Sequence, residues 1–394
     1  MALPLYYNWR NLLRRKLSTS LTFVVVAAVV LVLSVLLSFA AGIRESLDAS
    51  GSPRNVLVLK PGATAESTSM ILPDEVGRLV QTPGVARDAD GQLLISRELC
   101  VQTTIPRRGR GGDGEGNPAN VAVRGVDDIV FAVHDNVHVV EGRAPQAGAM
   151  EAIVGKAARE RYANLTIGRD IQLGRSSNRS YKIVGVFEAA GGALESEIWA
   201  PRTLISDTYN RRFESSVVLR LADGASSKEA IDYITSPAVQ LDARLETKYY
   251  DELATKTREI VTLTSILVSI MAIGAIFAVA NTMFAAVDGR RREIAMLRTL
   301  GFTKPAIVLA FIVESLLICV AACVAGLSVS SLVNGSRQDY LSDTTWTVFA
   351  YELRITWGIL VTAFSLAVVV GVGGAITPAL RASRMRVIEA LRKA

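Results

Sequence analysis

Four long uncharged stretches, one before and three after a polar insert of about two hundred residues, limit what this chain can fold into. They are Ser18–Ile43, Ile260–Val287 and Ile355–Leu380, together with Pro305–Ser336, which is interrupted only by Glu314. Each exceeds the roughly 20 residues that a helix needs to cross about 30 Å of hydrocarbon. Lipid offers no partners for peptide groups, so such stretches must be helices. Ser38-Phe39-Ala40 loosely resembles a signal cleavage site, but the apolar run before it is too long for a signal core and reads as a retained helix. The expected fold is an α-helical membrane bundle of four transmembrane helices in 1+3 order. A large α+β extracytoplasmic domain is expected between the first and second.

Charge sets the orientation. The chain carries a net charge of +6, yet Gly42–Glu259 holds 27 basic and 30 acidic side chains, so the excess of basic residues lies at the membrane edges. Arg10, Arg14, Arg15 and Lys16 precede the first span, and Arg290, Arg291, Arg292, Arg298 and Lys304 lie between the second and third. Arg381, Arg384, Arg386, Arg392 and Lys393 follow the fourth, whereas the loop between the third and fourth has only Arg337 and Arg354. The positive-inside rule puts both termini and the 288–304 loop in the cytoplasm, and the insert on the other side. Basic residues flanking lipid spans give no reason to invoke nucleic acid.

Within the insert, Arg44–Ser50 is expected to extend the first helix as a stalk. Strands are predicted at Asn55–Lys60, Gln92–Ile105, Asn120–Val126, Ala152–Val154, Asp170–Leu173, Tyr181–Glu188 and Ser215–Leu221. Helices are predicted at 73–81, opened by Pro73-Asp74-Glu75, at Lys156–Asn164, and at Lys228–Thr235 behind a Ser226…Glu229 capping box. Leu245–Glu259 should form a second stalk running into the second span. Mixed strands and helices without strict alternation point to α+β. Arg107–Pro118, rich in glycine and charge, reads as a mobile loop. Its Gly109, Gly111 and Gly114 have dinucleotide-fingerprint spacing but lack the flanking strand and helix.

Catalytic chemistry is not visible. The two histidines, His134 and His138, lie in a strand-like stretch (Phe131–Val140), form no H-E-x-x-H arrangement, and read as surface or packing residues. No nucleophile elbow and no Walker pattern occurs in these residues. Asn164-Leu165-Thr166 and Asn178-Arg179-Ser180 are glycosylation sequons only in a eukaryotic secretory route. Cys100, Cys319 and Cys323 give no disulfide framework or metal set and suit apolar filling. The insert offers no dedicated charge cluster to the eye. Glu314, the one acid inside the spans, is read either as an interhelical lock, to Asn281 or a flanking arginine, or as a snorkelling or water-exposed side chain. A single acid is too little for an ion-coupled carrier. Gly274, Ala278, Gly371, Gly373 and Gly374 permit close helix contact, either within one chain or with a second copy.

The 288–304 loop is more informative. Asp288-Gly289 ends the second span, and Arg290–Leu300 forms a short helix with Ile294, Leu297 and Leu300 expected on one side. Gly301 sits in a C-cap position before Pro305. A charged helix with an apolar ridge suits insertion into a partner's groove.

At these residues the chain resembles the FtsX-like/MacB-like permease family of ABC transporters, of the mechanotransmission type. The matching pieces are Arg10–Leu17, Arg292–Gly301, Glu314–Leu317, Pro378–Ser383 and Ile388–Arg392. Val154–Ala157, Gly168–Ile171 and Val184–Phe187 look like the family's periplasmic core. The resemblance implies a permease that is not itself an enzyme, working as a homodimer or with a related permease on a cytoplasmic ABC ATPase dimer. ATP and Mg would be bound by that partner and no cofactor by this chain. A periplasmic adaptor and membrane lipid are further implied partners, and nucleic acid is not. Arg292, Glu293, Ile294, Leu297, Arg298, Leu300 and Gly301 would form the ATPase-coupling helix, with Glu314 and Asn281 as intramembrane polar residues. Unlike fused exporters, these 394 residues carry no ATPase domain, so a separate protein is expected to supply hydrolysis.

The implied divisions are a cytoplasmic amphipathic helix at 1–18, spans at 19–43, 260–287, 305–333 and 356–379, and a core domain at 44–259. An inserted part at about 101–215 interrupts that core, the coupling hairpin is 288–304, an extracytoplasmic loop is 334–355, and the tail is 380–394. Conformational work outside the membrane would serve export or extraction of a substrate. A regulator of an extracytoplasmic enzyme such as a cell-wall hydrolase is the alternative.

Overall fold

The computed structural model describes residues 16–109, 115–174, 179–341 and 348–385. The amphipathic helix expected at Trp9–Leu17 falls almost wholly outside them, as do Gly111, Gly114, Asn178 and the tail from Arg386.

In chain order the elements begin with α1 (Lys16–Asp48), β1 (Asn55–Leu59), a 3₁₀ turn at Glu66–Thr68 and α2 (Pro73–Leu79). Next come β2 (Ile95–Arg108), β3 (Glu115–Val126), α3 (Val130–Val133), β4 (His138–Gly142), β5 (Glu151–Gly155) and α4 (Lys156–Arg161). They continue with β6 (Asp170–Leu173), β7 (Arg179–Glu188), a 3₁₀ turn at Ala193–Ser196, β8 (Ile198–Pro201) and α5 (Arg202–Tyr209). Then follow β9 (Ser216–Arg220), α6 (Ser227–Thr235), β10 (Asp242–Leu245), α7 (Glu246–Asp288) and α8 (Arg291–Thr299). The last are α9 (Lys304–Ser331), β11 (Arg337–Leu341), β12 (Val348–Glu352) and α10 (Trp357–Ser383).

The chain divides into two compact units. The first comprises 1–41, 257–336 and 353–394, and its described residues hold four helices long and apolar enough to cross a membrane, in 1+3 order. Small residues bring them together. A Cβ on Gly326 of α9 would lie 2.7 Å from the Ala27 carbonyl oxygen of α1, and one on Gly374 of α10 would lie 2.5 Å from the Val279 side chain of α7. The Ser315 hydroxyl donates to the Gly371 carbonyl at 2.8 Å, tying α9 to α10. Among the described residues nothing makes such an approach to Gly274.

The second unit, 42–256 with 337–352, is α+β. Its ten-stranded mixed sheet runs β10-β1-β9-β2-β3-β8-β5-β7-β4, with β6 on β7. The long strand β2 changes partners along its length: Ile95–Glu98 pairs with β9 and Leu99–Arg108 with β3. On one side of that change lies a core of Val56, Val58, Leu79, Leu219 and Ile234. On the other lies a core of Leu99, Val123, Val154, Tyr162 and Ile183. Ser226 caps α6 by accepting the Glu229 N–H at 3.3 Å. Pro73 opens α2, and the Glu75 carboxylate returns to the Leu72 N–H at 2.9 Å.

Two expectations need correction. Arg107–Pro118 is not a loop throughout, because β2 reaches Arg108 and β3 starts at Glu115. Pro106 and Pro118 face each other across that hairpin, so the missing N–H groups coincide in one pair. Phe131–Val140 is not one strand: Val130–Val133 is a helical turn and β4 begins only at His138. Between the last two spans, β11 and β12 pair as antiparallel strands.

Candidate functional sites: a cytoplasmic hairpin and a buried charge cluster

The hairpin is built by its breaks. After α7 ends at Asp288, Gly289 and Arg290 turn the chain into α8. At the far end the Gly301 N–H bonds the Arg298 carbonyl and the Phe302 N–H bonds the Leu297 carbonyl, the reciprocal pair of a Schellman cap. Gly301 takes φ of +93°, where a side chain would be strained.

The expected Ile294–Leu297–Leu300 ridge does not form one face. Residues three apart drift by about 60° around a helix of 3.6 residues per turn, so Ile294 and Leu300 end about a third of a turn apart. Ile294 and Ala295 are buried, with Ile294 in the bundle core beside Ile307. Leu297 and Arg298 are half-buried, and Arg292, Met296, Thr299 and Leu300 are exposed. The outward apolar pair is therefore Met296 and Leu300, at 53% and 75% exposure.

Glu314 of α9 is buried and receives both guanidinium amines of Arg290, at 2.8 and 2.9 Å. This forked contact fastens the start of α8 to α9. Asn281 is exposed and has no part in it. Glu293 is half-buried.

The second site was not legible as a site. Glu66, Glu98, Arg124, His134, Glu197 and Glu246 are each at most 8% exposed and converge where β2 changes partners. Arg124 uses all five of its N–H donors: two to Glu197 (2.7 and 2.8 Å), two to Glu66 (2.8 and 3.1 Å) and one to Glu98. Glu66 also accepts from the Ser216 hydroxyl at 2.6 Å, and Glu197 from the Trp199 indole at 2.8 Å. Glu98 accepts from Ser96 and bonds His134 Nε2, each at 2.8 Å. Across the ring, His134 Nδ1 faces Glu246 Oε1 at 3.5 Å. A cavity of about 20 Å³ lies beside them, lined by Glu66, Cys100, Arg124, Glu197, Tyr249 and Tyr250; it has room for about one water.

Burial disfavours charge on His134, but Glu98 and then Glu246 outweigh it and raise its pKa to about 9. Burial likewise opposes ionisation of Glu98, yet His134 and Arg124 hold its carboxyl down at about 2. Glu246 is pushed up by burial against the pull of His134. Burial also pushes the Cys100 thiol well up, which makes it inert. Among the described residues no group of three or more His, Cys, Asp or Glu side chains is arranged to hold a metal ion.

The root of α7 and the chain just past α1 both meet this cluster. Glu246 is the first residue of α7, and its Oε2 accepts the Ser52 N–H and the Asn55 amide, each at 2.9 Å. A Cβ on Gly51 would fall 2.9 Å from the Thr247 backbone, so the chain leaving α1 passes against the start of α7. The Ser50 hydroxyl accepts the Ala193 N–H at 2.7 Å and the Asn136 amide donates to the Ala49 carbonyl at 3.1 Å. The reading of the insert as lacking a charge cluster is corrected on this point, and of the two readings of His134 the surface one is set aside, since it is buried. The available signal was charge at inward-facing strand positions: Glu98 shares the period-two face of Ser96 and Cys100, and Arg124 sits inside Val121–Val126.

Residues 18–236 match the MacB-like periplasmic core domain, and residues 265–387 match the FtsX-like permease C-terminal family. The chain is similar to the macrolide export ATP-binding/permease protein MacB of Burkholderia cenocepacia strain HI2424, at 24% identity over 98% of this chain and 57% of that protein. Its counterpart in Burkholderia lata is likewise 24% identical, over 98% of this chain and 56% of the other. The chain thus spans a little over half the length of these curated relatives. Among solved structures, the periplasmic region of MacB from Actinobacillus actinomycetemcomitans is similar at 12% identity and a TM-score of 0.37, covering 52% of this chain and 94% of that one.

Proposed function

The chain belongs to the FtsX-like/MacB-like permease family, and from that premise we propose that it is the permease subunit of an ABC transporter driven by a separate cytoplasmic ATPase dimer. It is a multi-pass inner-membrane protein with its large domain outside the cytoplasm. In this reading α8 is the coupling helix and Met296 and Leu300 are the side chains that enter the ATPase. Arg290 and Glu314 hold that helix on α9. ATP and Mg belong to the partner. A second permease copy completes the membrane part, and an adaptor takes up movement on the far side to export or extract a substrate.

The observation that carries this reading is α8 itself. A nine-residue helix between two spans buries Ile294 and Ala295 inward while leaving Met296 and Leu300 uncovered, the pattern of a helix that docks in a groove. The test is affinity purification of the chain, followed by ATPase assays with the recovered ATPase in lipid nanodiscs. The chain should recover an ABC ATPase and alter its turnover. Leu300→Asp should remove about 90% of that effect, since losing one buried anchor of about 2 kcal/mol is worth more than tenfold. Recovery of no ATPase, or full coupling by Leu300→Asp, would overturn the reading. Recovery of a cell-wall hydrolase without substrate movement would favour regulation over export.

A further inference from the structure

Burying ion pairs seldom stabilises a fold more than well-packed apolar residues would, yet four carboxylates, one guanidinium and one imidazole converge in the extramembrane unit. The two ends of this cluster differ. Around Arg124, each of Glu66, Glu98 and Glu197 is held by several hydrogen bonds. At the root of α7 the fit is looser. His134 Nδ1 stands 3.5 Å from Glu246 without a hydrogen bond, and Asn55 Oδ1 is buried without a partner.

We propose that His134 and Glu246 form a proton-dependent latch, in which the imidazolium bridges Glu98 of β2 to the first residue of α7 and fastens the root of that helix to the seam between the two cores. His134 is a positioning residue that acts through Glu246. The charged groups that face it are Glu98 from β2, Glu246 from α7 and Arg124 from β3, with the Trp199 ring of β8 at 6.3 Å. Its neighbour Asp135 is engaged by Arg220 and Arg54. When His134 gives its Nδ1 proton to solvent, Nε2–H stays on Glu98, but the positive charge facing Glu246 is gone. Glu246 is then a buried carboxylate near Glu98, held only by the Ser52 N–H and the Asn55 amide. An unpaired buried charge is costly, and the cheapest relief is for the first turn of α7 to leave its seat.

The latch is intrinsic to the chain; its use in transmission rests on the permease reading. His134 and His138 are the only histidines, so histidine-labelled full chain in detergent micelles gives two NMR signals, which His138→Gln assigns. His134 should be protonated at about pH 7.5, and Glu246→Gln should lower its midpoint by about one unit or more. The root is read by trypsin at Lys248, which is exposed in the first turn of α7. With rates divided by those on a small peptide at the same pH, cleavage there should rise about tenfold from about pH 7 to about pH 9.5. Glu246→Gln should flatten that dependence. A His134 that is neutral at about pH 7.5, or cleavage of the unaltered chain that ignores pH, overturns the latch without needing any variant to fold. A chain that shows both effects but alters no ATPase supports the latch and overturns only the permease reading.

Discussion

Arg124 is held by three carboxylates and is almost wholly buried with them. Its charge is worth most where nothing screens it, and its loss would leave Glu66, Glu98 and Glu197 buried with no common counter-ion. Breaking a buried network from one side typically costs about 3–5 kcal/mol. Arg124→Met should therefore lower the stability of the extramembrane unit by about that much, measured by denaturant titration followed at the Trp199 indole. His134 contributes with a sign fixed by its titration. Its pKa rises from 6.5 unfolded to about 9 folded, so its stabilisation is complete below about pH 6.5 and is lost as pH climbs through about 9. Glu98 works the other way: lowered from 4.5 to about 2, it stabilises above about pH 4.5 and ceases to as pH falls through about 2. A melting temperature followed across these two windows should fall at both ends, and His134→Gln should remove the alkaline fall.

Among the elements, α8 is closed by a single left-handed backbone angle. Gly301 at φ +93° lets the chain reverse into α9 within three residues. Gly301→Ala should cost about 1 kcal/mol, and hydrogen exchange of the α8 amides should rise by about fivefold as its last turn frays. The spans and this cap were legible because they follow from composition and from one residue type in one place. β6 was legible because Asp170-Ile171-Gln172-Leu173 alternates, and β1 and β9 because each carries a short run of Val and Leu that is buried throughout. What escaped the sequence was set by tertiary contact. β10 reads Asp242-Ala243-Arg244-Leu245, too polar and short to signal a strand, and it exists because it completes the sheet edge on β1. β8 is four residues, all buried, between a 3₁₀ turn and α5, with no alternation to detect. The charge cluster draws its members from positions as far apart as 66 and 246, so no local pattern announces it. The hairpin ridge failed on geometry: three-residue spacing does not hold a face, so Ile294 turns inward and Met296, which the ridge did not include, stands outward with Leu300.

At the scale of the whole molecule, sidedness is decided by where charge must not go. The polar insert is near neutral overall while the 288–304 loop and the segment after the last span are strongly basic, so moving these two across the membrane would be opposed. The three native cysteines are buried, which leaves an introduced thiol as the reporter. Ala147 is exposed in the extramembrane unit and Thr299 is exposed at the end of α8. In intact cells whose outer barrier has been removed, an impermeant maleimide should label Ala147→Cys to completion. Thr299→Cys should stay below about a tenth of that until the membrane is opened, since a charged reagent meets a barrier of several kcal/mol in hydrocarbon. Equal labelling of both before opening would put α8 and the large domain in one compartment. No nucleotide cycle in the cytoplasm would then have a membrane to act across, and the division of labour between α8 on one side and the sheet on the other would lose its basis.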